Sequence, residues 1–376
     1  MRSIAKLMKD WQFTGPDGVT AAVALPHTWN AVDGQDGGND YWRGTCTYRT
    51  RFAAPAYDPA QQQVWLQFEG VNSSAAVLLN GRQLCTHDGG YSTFRAEITE
   101  LLQAENQLAV QVDNSVNDRV YPQKADFTFY GGIYQDVSLL VVNKNHIALG
   151  HFGDTGVKIT PDLKEGSADI QVETLVEGEG TVVVELLDAE GSTVAKGEGA
   201  KASLHLDAPH LWNGVKDPYL YTCVVRLMQD GKPVDEVTTK VGLRSFSVDA
   251  KKGFFLNGKP YPLHGVSRHQ DRKGLGNAIT RKMHDEDMAL IRELGANTVR
   301  LAHYQHDQYF YDLCDKYGMV VWAEIPYISE HLPNGRENTI SQMKELIHQN
   351  YNHPSIVCWG VSNEITISTK DKADML

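Results

Sequence analysis

Basic charge, paired cysteines and long apolar runs are what this chain has least of. Lys and Arg number 35 against 47 Asp and Glu, a formal charge of -12 that leaves no basic surface for nucleic acid. No apolar run approaches the roughly 20 residues that a membrane span needs. The five cysteines (46, 85, 223, 314 and 358) are odd in number, scattered and without CxxC spacing. They suit a reduced, cytoplasmic setting better than a disulfide scaffold or a zinc site. The first ten residues, Met-Arg-Ser-Ile-Ala-Lys-Leu-Met-Lys-Asp, carry positive charge but no apolar h-region, so no signal peptide is expected. The sequon Asn72-Ser73-Ser74 then reads as a chance match. A P-loop and a complete GxGxxG are also missing, which argues against a nucleotide. What is present is an ordinary globular composition, 41% hydrophobic and 22% charged, over 376 residues, enough for two or three domains.

The pattern along the chain divides in three. Residues 1–143 read as all-β: short branched and aromatic runs at 64–68, 76–84, 107–112 and 136–142, with Asn80-Gly81 as a hairpin turn between apolar arms. Loops at 26–43, 87–95 and 114–134 are long and dense in polar and aromatic residues, the usual mark of functional loops. A jelly-roll sandwich is expected. Residues 144–246 repeat the β signature at 168–175, 181–187, 219–227 and 237–243, with Gly-rich turns, and fit an immunoglobulin-like sandwich that spaces its neighbours. After Asn257-Gly258, another hairpin, residues 247–376 alternate strand and helix. Strands are expected at 261–268, 297–302, 319–325 and 356–364. The first helix is capped by Thr280, buries Met283, Leu290, Ile291 and Leu294, and stops at Gly295. Phe310, Leu313, Cys314 and Tyr317 line a second helix ended by Gly318, residues 340–351 form a third, and 371–376 begin a fourth. Four βα units predict a parallel sheet, the first half of a (β/α)₈ barrel.

The most informative stretch is His-Pro-Ser-Ile-Val-Cys-Trp-Gly-Val-Ser-Asn-Glu at 353–364. Pro354 stops the preceding helix, the apolar run is a buried strand with Trp359 in the core, and Asn363 and Glu364 arrive at its carboxyl end. The other strand ends bring Arg268, His269 and Asp271; Arg300, His303 and Tyr304; and Glu324. If a barrel forms, these converge on one mouth. Such a set suits a polyhydroxylated substrate, whose hydroxyls need donors and acceptors in fixed places. A glycosidic bond also needs a protonated carboxylic acid beside its leaving oxygen, and Glu364 fits that role with its pKa raised by burial and a neighbouring carboxylate. Two plainer alternatives stand beside this: His303 and His306 as a metal-ligating or incidental pair, and Glu324 as a structural partner of Arg300.

The chain resembles glycoside hydrolase family 2, the family of β-galactosidases, β-glucuronidases and β-mannosidases. The matching residues are Leu25-Pro26-His27-Thr28-Trp29-Asn30, Tyr41-Trp42-Arg43-Gly44, Phe129-Tyr130-Gly131-Gly132-Ile133-Tyr134-Gln135-Asp136-Val137, Pro218-Tyr219-Leu220-Tyr221 and Phe255-Leu256-Asn257-Gly258-Lys259-Pro260. His264-Gly265-Val266-Ser267-Arg268-His269, Asn297-Thr298-Val299-Arg300-Leu301-Ala302-His303-Tyr304 and Asn363-Glu364 complete the set. The resemblance implies a retaining β-glycosidase, a β-galactosidase on the texture of residues 359–365, with a β-glucuronidase as the alternative of the same family. A non-catalytic carbohydrate-binding fragment is the alternative from another class. It also implies Glu364 as general acid/base, Asn363 on the sugar 2-hydroxyl, His269 and His303 lining the subsite of the non-reducing sugar, and Asp126 reaching in from the jelly roll. The nucleophile, a second glutamate near the seventh strand of such a barrel, falls beyond this chain. The resemblance fixes no cofactor: Mg²⁺, which some members of the family hold, and Na⁺ beside Asp126 are left open. The family's Glu-x-His after the third strand is replaced here by Glu324-Ile325-Pro326-Tyr327-Ile328. The expected ligand is a β-galactoside or related oligosaccharide, and assembly into a homo-oligomer is in keeping with the family.

Overall fold

Strict two-residue alternation builds the first sandwich. The computed structural model describes residues 1–33 and 41–366. Strands Thr45–Ala53 and Glu105–Asp113 bury every second side chain, so each can cover a core with one face and meet water with the other. They are central in a six-stranded antiparallel sheet ordered Thr20–Val23, Trp11–Thr14, Thr45–Ala53, Glu105–Asp113, Ser74–Leu79, Arg82–Asp88. A second sheet, Ser3–Lys6, Val137–Asn143, Gln62–Phe68 and Phe94–Glu97, closes on it. Trp11, Tyr48, Leu66, Phe68 and Val110 fill the space between them. Asn80 and Gly81 both have positive φ, 52° and 80°, as the turn between Ser74–Leu79 and Arg82–Asp88 requires. Asn72 is buried and donates to the Tyr130 carbonyl at 2.6 Å, so its sequon faces no solvent.

The second sandwich packs the three-stranded sheet Val157–Lys164, Ser167–Thr174, Lys201–Asp207 on the four-stranded sheet Thr193–Glu198, Thr181–Leu187, Tyr221–Gln229, Lys232–Val241. Val172, Val184, Leu204 and Val225 lie in its core. Arg2 ties the two sandwiches, its guanidinium 2.6 Å from the buried Asp235 carboxylate.

A small antiparallel sheet, Phe246–Asp249, Gly253–Leu256 and Lys259–Pro260, leads into the third region. There β1 (Gly265–Arg268), β2 (Thr298–Leu301), β3 (Val320–Glu324) and β4 (Ile356–Gly360) form a parallel sheet in chain order. They are joined by α1 (Arg281–Glu293), α2 (Gln308–Tyr317) and α3 (Arg336–Asn350). Val266, Val299, Leu301, Val321 and Ala323 point to the helix layer and pack on Phe310, Leu313 and Leu346. Trp359 is half-buried against that core rather than enclosed by it.

Several expectations change. The first strand is Gly265–Arg268, shorter than 261–268, because Pro262 cannot donate to a ladder. On α1 the buried residues are His284, Met288 and Ile291, whereas Leu290 and Leu294 are 60% and 74% exposed. His284 replaces leucine on the inner face because Arg268 reaches it there, Nη2 lying 3.1 Å from His284 Nδ1. Thr280 stands at the N-cap position but its side chain caps nothing. The expected fourth helix, 371–376, lies outside the described residues. No described helix is long and apolar enough to cross a membrane, and the five cysteines are free thiols.

Candidate active site

The pleat decides which strand residues meet at the sheet's other face. With Val299 and Leu301 turned to the helices, Arg300 must face the opposite way, as must Trp322 and Glu324 on β3. The Arg300 guanidinium lies 5.1 Å from the Trp322 ring. It donates from Nε to Glu324 Oε1 at 2.5 Å and from Nη2 to Asn363 Oδ1 at 2.8 Å. Glu324 Oε2 lies 2.6 Å from His303 Nδ1. Glu324 is 1% exposed, so this carboxylate is buried with both oxygens engaged. The Arg300–Glu324 pair that the sequence offered as a plainer alternative is therefore formed.

Asn363 is fixed from its backbone as well. Its N–H donates to the Tyr327 carbonyl at 2.9 Å and its carbonyl accepts from Ser329 N–H at 3.0 Å, extending the β3–β4 pairing past the strand ends. With Oδ1 held by Arg300, the amide must turn Nδ2 and its two protons outward. The next residue, Glu364, has φ 51°. That left-handed conformation costs a non-glycine residue on the order of 1–3 kcal/mol. It turns the side chain away from the strand line, and Glu364 is exposed. Its expected burial is not met, because Glu364 sits beyond the last pair of β4 and no described residue covers it.

The second group is aromatic. The His269 and His303 ring centroids are 5.4 Å apart, and Phe127, from the jelly-roll loop, lies 4.8 Å from His269 and 6.3 Å from His303. Burial and the neighbouring His303 hold the His269 pKa below its usual value, against the opposing pull of Asp271, Asp126 and Glu324. His269 is thus kept neutral near pH 7. Asp126 is exposed, next in sequence to Phe127, on the same loop. The His303 Nδ1–Glu324 contact leaves Nε2 as the nitrogen available to a ligand.

Two expected members are elsewhere. Arg268 shares its parity with Val266, so it points to the helices: it pairs with Asp287 at 2.7 Å, and its guanidinium carbon lies 3.9 Å above the Phe310 ring. His306 does not pair with His303. It is buried, with Nδ1 facing Arg268 at 3.0 Å and Nε2 facing the Ala302 carbonyl at 3.1 Å. Phe127 and Trp322 were missed: they read as ordinary apolar residues, although Trp322 falls in alternation with Glu324. A magnesium site does not fit at Glu324, whose oxygens are held by Arg300 and His303 and whose second neighbour is Pro326 rather than histidine.

Three family models match in chain order. Residues 38–163 match the glycosyl hydrolase 2 galactose-binding domain-like model. Residues 151–244 match glycosyl hydrolases family 2, and 247–376 its TIM barrel domain. A β-glucuronidase of Bacteroides fragilis is 40% identical over 96% of this chain and 56% of its own length. A β-galactosidase of Thermoanaerobacter pseudethanolicus is 31% identical over 90% of this chain and 47% of its own. The crystal structure of an FMN-binding β-glucuronidase from Facaelibacterium prausnitzii L2-6 superposes with a TM-score of 0.96 at 42% identity, covering 99% of this chain and 60% of that one. The chain thus spans about half the length of the curated relatives it matches.

Proposed function

Because this chain belongs to glycoside hydrolase family 2, we propose that it supplies the sugar-holding and proton-donating part of a retaining β-glycoside hydrolase. In this reading β1–β4 are the first four strands of a (β/α)₈ barrel, the described face is its mouth, and Glu364 is the general acid/base. The observation that carries it is the Arg300 bridge to Asn363, which aims an amide donor where a sugar 2-hydroxyl would lie beside Glu364. His269, His303 and Asp126 hold further hydroxyls, with Phe127 against a sugar face.

In the first step the protonated Glu364 gives its proton to the glycosidic oxygen as the C1–O bond breaks. A second carboxylate, about 5 Å from the first in retaining enzymes, bonds to C1. Glu364 then takes a proton from the water that releases the sugar. Glu324 does not suit the nucleophile's part, being held on both oxygens by Arg300 and His303. We assign the nucleophile to the part of the family's length that this chain does not span. No step needs a metal ion.

The substrate we propose is a terminal β-D-glucuronide. The name of the relative at 40% identity, a β-glucuronidase, supports it over the β-galactoside that the 359–365 texture suggests. The β-galactosidase at 31% keeps the galactoside as the second reading. The test is calorimetric binding of glucuronate and galactose to this chain, with nitrophenol release from matched β-glucuronide and β-galactoside measured on the chain extended through the family's remaining length, as wild type and as Glu364→Gln. Glucuronide turnover falling about 10²–10⁴-fold in the variant is expected. Undiminished turnover removes Glu364 from its role, and preference for galactose in both measurements returns the substrate to a galactoside.

A further inference from the structure

The turn that joins the first two sandwiches meets α3 through a cluster with a different chemistry from that of the strand ends. His151, Asp154 and His348 offer two imidazole nitrogens and a carboxylate oxygen, all within 4.8 Å of one another. Asp154 Oδ2 lies 2.9 Å from His151 Nδ1 and 3.6 Å from His348 Nδ1. A tetrahedral ion with donors at about 2.0–2.1 Å separates them by about 3.3 Å, so both distances bracket what such an ion needs. The third pair, the two imidazole nitrogens, lies within 4.8 Å.

The turn is built to hold that geometry. Asp154 Oδ1 accepts from Gly156 N–H at 2.8 Å, which leaves Oδ2 for the histidines. Arg95 donates to the Leu149 and Asp154 carbonyls at 3.0 and 2.6 Å, fixing the turn from one side. Gln349, next to His348 on α3, donates to the Phe152 carbonyl at 2.7 Å from the other. Phe152 has φ 47°, a strained conformation for a bulky residue, and its ring stacks on His348 at 4.7 Å. Two lysines stand four residues from cluster members: the Lys158 ammonium lies over the Tyr351 ring and toward Glu173, and that of Lys344 lies 5.8 Å from the Phe152 ring.

We propose that His151, Asp154 and His348 bind one divalent first-row transition-metal ion of the zinc type, which staples the inter-sandwich turn to α3. Two imidazoles and one carboxylate suit zinc, cobalt or nickel, while magnesium and calcium prefer all-oxygen sets. One or more positions remain open for water. A second cluster, Asp312, Asp315 and His353, offers one imidazole rather than two, and both nitrogens of that ring face protein, Nδ1 on Asp315 at 2.6 Å and Nε2 toward Gln308 Oε1 at 3.5 Å.

The experiment is calorimetric titration of Zn²⁺ and optical titration of Co²⁺ into the chelator-stripped chain. His348→Ala, Asp154→Asn and Asp312→Asn are run beside it, with circular dichroism as the check of folding. One equivalent is expected to bind wild type without a thiolate charge-transfer band, undisplaced by excess Mg²⁺. Loss of a direct ligand costs more than the roughly 10–100-fold that a supporting residue costs, so His348→Ala and Asp154→Asn weaken binding at least that much while folded. Asp312→Asn leaves it unchanged. No binding by wild type, a thiolate band, or binding that survives His348→Ala would overturn the proposal.

Discussion

Arg300 shows how much one side chain can organise. Its planar fork spans Glu324 and Asn363 at once, which a lysine cannot reproduce. Removing it leaves Glu324 buried against His303 alone, and breaking such a pair costs about 3 kcal/mol. Arg300→Met is therefore expected to lower urea-unfolding stability by about that amount, and Arg300→Lys to recover part of it but not the sugar affinity. A Met variant as stable as wild type would show that the bridge is decorative. That polar residues gather at the strand ends was legible in the sequence, as was the Arg300–Glu324 pairing. The placement of Arg268 was not. A four-residue strand has two residues per face, and the cue was the parity Arg268 shares with the apolar Val266.

Elements were legible where one face is wet and one is dry, and at turns that demand positive φ, Asn80-Gly81 and Asn257-Gly258. They were obscure at edges and joints. Ser3–Lys6 pairs with Val137–Asn143 although all four residues are exposed, so no alternation announces it. Helix α3 is the clearest joint: it buries Asn338, Thr339, Gln342 and Glu345 beside Leu346, because the jelly roll meets it through hydrogen bonds. Glu345 takes His87 at 2.9 Å and the Ser92 hydroxyl, Asn338 takes Tyr121 N–H at 3.0 Å, and Gln349 pairs with the Thr93 backbone. No hydrophobic period can report such a face. Glu345→Ala orphans His87 and Ser92, and a loss of about 2 kcal/mol in denaturant unfolding is expected. With Ser92→Ala the two losses should fall short of additive by about 0.5 kcal/mol or more. Full additivity would mean that the contact carries no energy.

At the scale of the molecule, buried imidazoles tie stability to pH. Burial lowers the pKa of His27, against Tyr48 in the jelly roll, from 6.5 to about 4. It also takes His306, beside Arg268, well below its usual value. Between those limits the unfolded chain binds protons that these imidazoles refuse when folded, so the His27 contribution is full above about pH 6.5 and is lost as the pH drops toward 4; the buried Glu69 carboxyl, raised from 4.5 to about 7, acts in the opposite sense over much of the same window. His27 alone accounts for a loss on the order of 3 kcal/mol across that window. In urea unfolding from pH 7 to 4, His27→Gln should therefore hold its midpoint better on the acid side than wild type does; parallel profiles would place the proton uptake elsewhere.

The polar face of α3 also bears on how the chain is made. Domains generally fold in the order they leave the ribosome. Leu346 and Met343 are what α3 turns to the core of the parallel sheet, a small apolar contact, while its jelly-roll face is amide and carboxylate and is not placed by hydrophobic collapse. The jelly roll, completed some two hundred residues earlier in synthesis, presents His87, Ser92, Thr93 and Tyr121 before α3 emerges. The first domain is in that sense an assembly template. It selects the register in which α3 settles, and so the pose in which the strand bearing Asn363 and Glu364 is delivered.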